Sequence, residues 1–152
     1  MSQGIFSALT YLEDQLEATA PKTDLHHGFV AHARANGSVV PLEERYNSQR
    51  FFQLDIAEMP SDDGAAGLSG RRRALIDLRV RYDIPQDSTY LSRLVAEDAE
   101  LLLVTLKGPD YSLATTGIVS VIPEDPLYEP INLGDQGVYI LTIPFTLLYL
   151  EA

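Results

Sequence analysis

The sequence predicts an α+β domain: an antiparallel or mixed β-sheet with helices packed on one face, in the order helix, hairpin, helix, hairpin. Three observations predict it. Two segments carry apolar residues at helical spacing, other segments alternate apolar and polar residues, and glycine or proline punctuates the joins.

The first helix is expected from about Ile5 to about Ala18. Ile5, Leu9, Leu12 and Leu16 are spaced i, i+4, i+7, i+11, which aligns them along one stripe, and Pro21 with Lys22-Thr23-Asp24 closes the segment. Residues Leu25 to Ser48 carry no firm period; they read as a connection with one short strand around Ser38 to Leu42. The pattern then changes to period two. Phe52, Leu54 and Ile56 alternate with Gln53 and Asp55, as in a half-buried strand. Pro60 to Gly70, with three glycines and no sustained apolar pattern, reads as a mobile hairpin tip. Beyond it Ala74, Ile76, Leu78, Val80, Tyr82 and Ile84 share one face of a longer strand. Arg73, Asp77, Arg79, Arg81 and Asp83 share the other, which is expected to be wet or to meet a partner. Consecutive strands of this kind form a hairpin.

Pro85 ends that strand, and Asp87 or Ser88 offers an oxygen to cap the second helix. That helix runs from Thr89 to about Leu106, with Leu91, Leu94, Val95, Leu101 and Leu102 on its apolar stripe and Gly108-Pro109 as its stop. A short strand follows at Gly117 to Ile122. Pro123 to Gly137, rich in proline, reads as a loop, and Val138 to Leu150 as a long closing strand. In that strand Tyr139, Leu141, Ile143, Phe145, Leu147 and Tyr149 share a face; Pro144, which cannot donate to a ladder, favours an edge or a bulge. At 152 residues the chain is read as one domain, 1–152.

Composition narrows the function classes. Lys+Arg 11 against Asp+Glu 22 gives 11 − 22 = −11, a charge that repels nucleic acid and anionic membrane. With no cysteine, there is no disulfide, thiolate metal site or cysteine nucleophile. No apolar run approaches the roughly 20 residues that span a bilayer. Met1-Ser2-Gln3-Gly4 lacks the basic start and apolar core of a secretory signal, so the chain is expected in the cytosol.

Each catalytic or ligand-binding candidate has an ordinary structural explanation. Gly64, Gly67 and Gly70 lead into Arg71-Arg72-Arg73 and a strand, whereas a phosphate loop leads through Lys-Ser/Thr into a helix. Asp24, His26, His27 and His32 are metal-ligand types, but the spacing of the histidines does not share a helix face, and they read as solvated loop residues. Asp62-Asp63-Gly64 lacks the remainder of a calcium loop. Glu97, Asp98 and Glu100 read as the solvated side of the second helix, except that Asp98 falls close to the apolar stripe and is expected to be partly buried or paired. No Gly-x-Ser-x-Gly elbow occurs. No catalytic, cofactor or metal residue is therefore assigned, and the chain reads as a non-enzyme.

The arginines are more informative. From Arg71 to Ile84 five arginines face two aspartates, a local 5 − 2 = +3 in an acidic chain. Charge on an exposed strand prevents edge-to-edge aggregation. It also fits a basic stripe that meets acidic surface on another copy or another protein. Arg71, Arg72, Arg73, Arg79 and Arg81, together with Asp62 and Asp63 of the tip, are the interface candidates.

The layout resembles the tail-terminator proteins of tailed bacteriophages. The resemblance is carried by the N-terminal helix with Ile5, Leu9 and Leu12, the Arg50-Phe51-Phe52-Gln53-Leu54 strand and the Gly-rich tip. It continues through the Arg73-to-Tyr82 strand, the second helix and the closing strand to Tyr149. It covers nearly the whole chain in element order, with Leu25 to Ser48 longer than the family pattern. The resemblance implies a homohexameric ring at the head-proximal end of the tail tube, which ends tube polymerisation and joins the tail to the head connector. Its partners would be further copies, the tail tube protein and the connector protein, with DNA passing through the channel unbound. The location would be the virion, and the host cytoplasm during assembly. Another neck, connector or tail-completion protein of the same assembly, or a small ligand-binding module, remains the alternative.

Overall fold

The computed structural model describes residues 4–21, 27–31, 49–60, 71–83, 88–108, 116–133 and 136–150. In chain order these form α1 (Ile5–Glu17), β1 (His27–Ala31), β2 (Gln49–Glu58), β3 (Arg71–Asp83) and α2 (Ser88–Lys107), then β4 (Ile118–Pro123), β5 (Leu127–Leu133) and β6 (Gln136–Leu150). The architecture is α+β, and among the described residues the sheet has six strands. Its order is β1-β2-β3-β6-β4, with β5 also paired to β6. All pairings are antiparallel except β1 with β2, so the sheet is mixed.

The long strands at the centre set the frame. β3 and β6 pair without a break from Arg71↔Leu150 to Asp83↔Val138. β2 pairs with β3 as the expected hairpin, from Phe52↔Val80 to Ile56↔Ile76, and Ala57 is an extra residue before Glu58↔Leu75. Alternation along these strands sends Ala74, Ile76, Leu78, Val80 and Tyr82 of β3, and Leu141, Ile143, Phe145, Leu147 and Tyr149 of β6, into one buried cluster. Both helices lie on this face. α1 contributes Ala8, Leu12 and Leu16; α2 contributes Leu94, Val95, Ala99, Leu102 and Leu106. The stripe read from the sequence is thus the buried one, with Ile5 and Leu9 partly buried at its start.

Polar contacts fix the helix ends. The Thr19 and Thr105 hydroxyls lie 3.0 Å apart and link the ends of α1 and α2. The Ala31 amide donates to Glu17 Oε2 at 3.1 Å and ties β1 to α1. Gly108 ends α2 in the left-handed region (φ 41°) while its amide donates to the Val104 carbonyl at 3.2 Å. Gly117, at φ 73°, turns the chain into β4, and its carbonyl accepts the Leu150 amide at 2.8 Å.

Several expectations need correction. The Pro123 to Gly137 segment is not all loop: Leu127–Leu133 is β5, a hairpin partner of β6 from Leu127↔Thr142 to Leu133↔Gln136. Pro130 is tolerated there because β5 is an edge strand. Pro144, conversely, lies neither on an edge nor at a bulge. β6 is internal, and Pro144 falls where β5 ends and β4 begins. Its carbonyl accepts the Glu124 amide at 2.8 Å, so the missing N–H faces the same seam, where neither ladder needs a donor. Ile56, expected on the apolar face, is 47% exposed although Ile76 opposite it is buried, because among the described residues β1 flanks β2 only as far as Phe52. His27 lies in strand β1 and not in a loop. The strand expected at Ser38 to Leu42, the tip from 61 to 70, and His26, His32, Ile84 and Asp87 lie outside the described residues.

Candidate functional site

Beneath α2 the sheet buries three polar side chains from three elements. Arg50 of β2 shares the core-facing parity of Phe52, Tyr82 closes the apolar row of β3, and Asp98 sits one turn beyond Val95. Arg50 Nε donates to Asp98 Oδ2 at 2.7 Å, and the Tyr82 hydroxyl donates to the same oxygen at 2.8 Å. The Arg50 guanidinium also lies 5.7 Å from the centre of the Phe29 ring. Relative exposures are 1% for Arg50, 0% for Asp98 and 4% for Tyr82.

Burial governs the protonation of this cluster. Desolvation pushes the Asp98 carboxyl above its ordinary range, although the Tyr82 hydrogen bond and the Arg50 charge pull the other way. Tyr82 is raised well above the usual phenol value, first by burial and then by the Asp98 charge and hydrogen bond. Asp98 Oδ1 is buried with no hydrogen-bond partner among the described residues. The ion pair and the tyrosine are all but closed to solvent. Their chemistry is to join β2, β3 and α2 by charge-assisted bonds. Asp98 is therefore buried and paired, as its position by the apolar stripe predicts. Arg50 was missed as a site residue. Its signal is parity, because Phe52, Leu54 and Ile56 extended back by two places Arg50 among core residues, where an arginine needs a carboxylate.

Beside the triad a cleft of about 170 Å³ opens between α2 and the β5–β6 hairpin, lined by Ser92, Val95, Ala96, Tyr128 and Tyr139. Tyr139 is opposite Tyr82 in the β3–β6 register. The Tyr128 and Tyr139 rings tilt at 51° with centroids 6.4 Å apart. The Tyr128 hydroxyl is raised by partial burial and then by Tyr139 and Glu100. The cleft is smaller than the roughly 300 Å³ of ordinary ligand pockets, and no lining side chain is charged. Among the described residues no group of histidine, aspartate and glutamate could hold a metal ion.

The interface candidates separate into distinct environments. Arg71, Arg72 and Arg73 are exposed at the far end of β3, opposite Leu150, Tyr149 and Leu148. Arg79 lies mid-strand on the face away from the helices and meets Asp55 of β2 at 3.5 Å, where Gln53 Nε2 also donates to the carboxylate at 2.7 and 2.9 Å. Arg81 departs from expectation: it is 3% exposed and so is no part of a surface stripe. Phe51, Val138 and Ile140 are buried at that end of the sheet too, so the outer face is not uniformly wet. Asp62 and Asp63 lie outside the described residues. Glu100 is exposed and Glu97 half-buried on α2. No helix among the described residues is long and apolar enough to cross a membrane.

The chain matches no protein-family model and no curated protein.

Proposed function

We propose that this protein is a non-enzymatic structural subunit that assembles into a ring, with the tail-terminator role as its specific form. The observation that carries the reading is the far end of the β2–β3 hairpin. There Ile56 and Met59 are 47% and 45% exposed beside the exposed Arg71, Arg72 and Arg73. Apolar surface bordered by arginines suits protein contact better than it suits solvent. The polar cluster of Arg50, Tyr82 and Asp98, in contrast, is buried. The ring would cap the head-proximal end of a tail tube, face a connector above and pass DNA through its channel. An acidic wall favours passage because it does not grip phosphates.

Electron microscopy of the purified protein tests this. A closed ring is the expected result. Open-ended tubes would shift the assignment to a tube-like subunit, and a monomer at the highest soluble concentration would refute assembly. Combined replacement of Arg71, Arg72 and Arg73 by alanine should leave the monomer folded and give tails of uncontrolled length; tails of normal length would remove those residues from the contact. A connector or tail-completion protein is the second reading, favoured by the long segment between α1 and β2.

A further inference from the structure

The sheet ends in two unlike margins. On one side β1 accompanies β2 only from Gln49 to Phe52, so among the described residues β2 from Leu54 onward is itself an edge. This margin carries Ile56, Met59 and, from the adjoining start of β3, three exposed arginines. Against them stand the exposed Glu58 and Asp55, the latter with its side chain 42% exposed and already met by Arg79 at 3.5 Å, so the balance stays basic. On the opposite side β4 and β5 lie end to end along β6. Here Ile122, Leu127 and Tyr128 are 60%, 59% and 45% exposed. Glu124, Asp125 and Glu129 are exposed among them, and no lysine or arginine occurs between Thr116 and Leu133. Glu100 of α2 adds a further carboxylate close to Tyr128.

We infer that these margins are the two halves of one heterologous interface, the basic hairpin margin of one copy docking on the acidic β4–β5 margin of the next. This rests on the ring reading above and names its contact surfaces. Each margin exposes apolar side chains within charge of a single dominant sign, and the signs are opposite. Like margins repel, which excludes the two-fold pairing of either with itself. Because every copy carries both margins on opposite sides of its sheet, the contact propagates head to tail and can close into a ring. Side chains make the contact, not a continued ladder. Ala57 bulges out of one edge, and Pro123, Pro126 and Pro130 remove amides around the other.

Charge reversal tests the pairing. One variant carries Arg71→Glu, Arg72→Glu and Arg73→Glu; a second carries Glu124→Lys, Asp125→Lys and Glu129→Lys. Sedimentation velocity should show each variant alone as a monomer, with assembly at least about tenfold weaker than that of the wild type. Circular dichroism should show both folded. An equal mixture should assemble again, because the altered hairpin margin of the first variant now complements the altered β4–β5 margin of the second, and their two unaltered margins complement each other. Assembly of either variant alone at wild-type strength, or failure of the mixture, would overturn the pairing while leaving the ring reading intact. A wild-type chain that stays monomeric would instead overturn both.

Discussion

Two arginine–aspartate pairs lie on opposite faces of the β2–β3 hairpin and differ in almost every physical respect. Arg50 and Asp98 meet at 2.7 Å with side chains 1% and 0% exposed. Arg79 and Asp55 meet at 3.5 Å with side chains 25% and 42% exposed. The first pair has left water and depends on every partner it retains, since a single unmatched charge there has no solvent to turn to. Water screens the second pair and can replace either partner. Identical residue types thus serve as an internal tie on the helix face and as surface chemistry on the other. What separates them is the cover provided by α2.

Removing a partner from each pair should break or sharpen that contrast. The largest effect is expected from Asp98→Ala, which leaves the Arg50 guanidinium buried without its carboxylate and should cost about 3–5 kcal/mol in urea unfolding. A loss below about 1 kcal/mol would mean that water reaches the site and that the contrast is overstated. Tyr82→Phe keeps the ring and the ion pair but removes one charge-assisted bond, for an expected loss of about 1.5–3 kcal/mol by the same measurement.

The pH dependence follows from the directions of the two shifts. The folded Asp98 carboxyl lies above its ordinary 3.8, so the folded chain holds that proton more tightly than the unfolded chain does. Its contribution is full below that value and lost as pH rises through the folded one. The stability difference between wild type and Asp98→Asn should therefore shift against the wild type across this window and then level off. Tyr82 is raised above 10.0, so its contribution is lost as pH climbs beyond 10.0. Melting temperatures measured against pH should show Tyr82→Phe without that alkaline component.

On the exposed side, Asp55→Ala should cost less than about 1 kcal/mol, and less still in high salt. Smallest of all is the stability effect of replacing Arg71, Arg72 or Arg73 singly with alanine, within about 0.5 kcal/mol by denaturant unfolding. A larger loss would mean that these arginines stabilise the monomer, which would weaken their assignment to assembly.

The candidate site was legible in part. Arg71 to Arg73 stood out because a basic run is anomalous in a chain of −11, and they do lie at the surface. Asp98 was placed correctly because helical period alone brings it next to Val95 and Leu102. Arg81 was misplaced for a reason intrinsic to period two. Alternation assigns a residue to a face but does not say whether that face is covered, and Arg81 lies where Phe51, Val138 and Ile140 are buried as well. β5 was missed because it has no alternation to read. Residues 127–130 are all exposed, and the strand is held by its backbone ladder to β6.

What the sequence determined by itself was local: the two helical stripes, the β2–β3 hairpin, the long closing strand and the acidic balance with its basic exception. Each depends on contacts with sequence neighbours or on composition, which period and counting capture. Tertiary structure alone decided that β1 runs parallel to β2, that β6 is central with Pro144 at a seam, and that Arg50 meets Asp98 across 48 residues. Those outcomes depend on which faces and edges meet. A hydrogen bond between distant elements has no period, and burial belongs to the assembled layers, not to the residue.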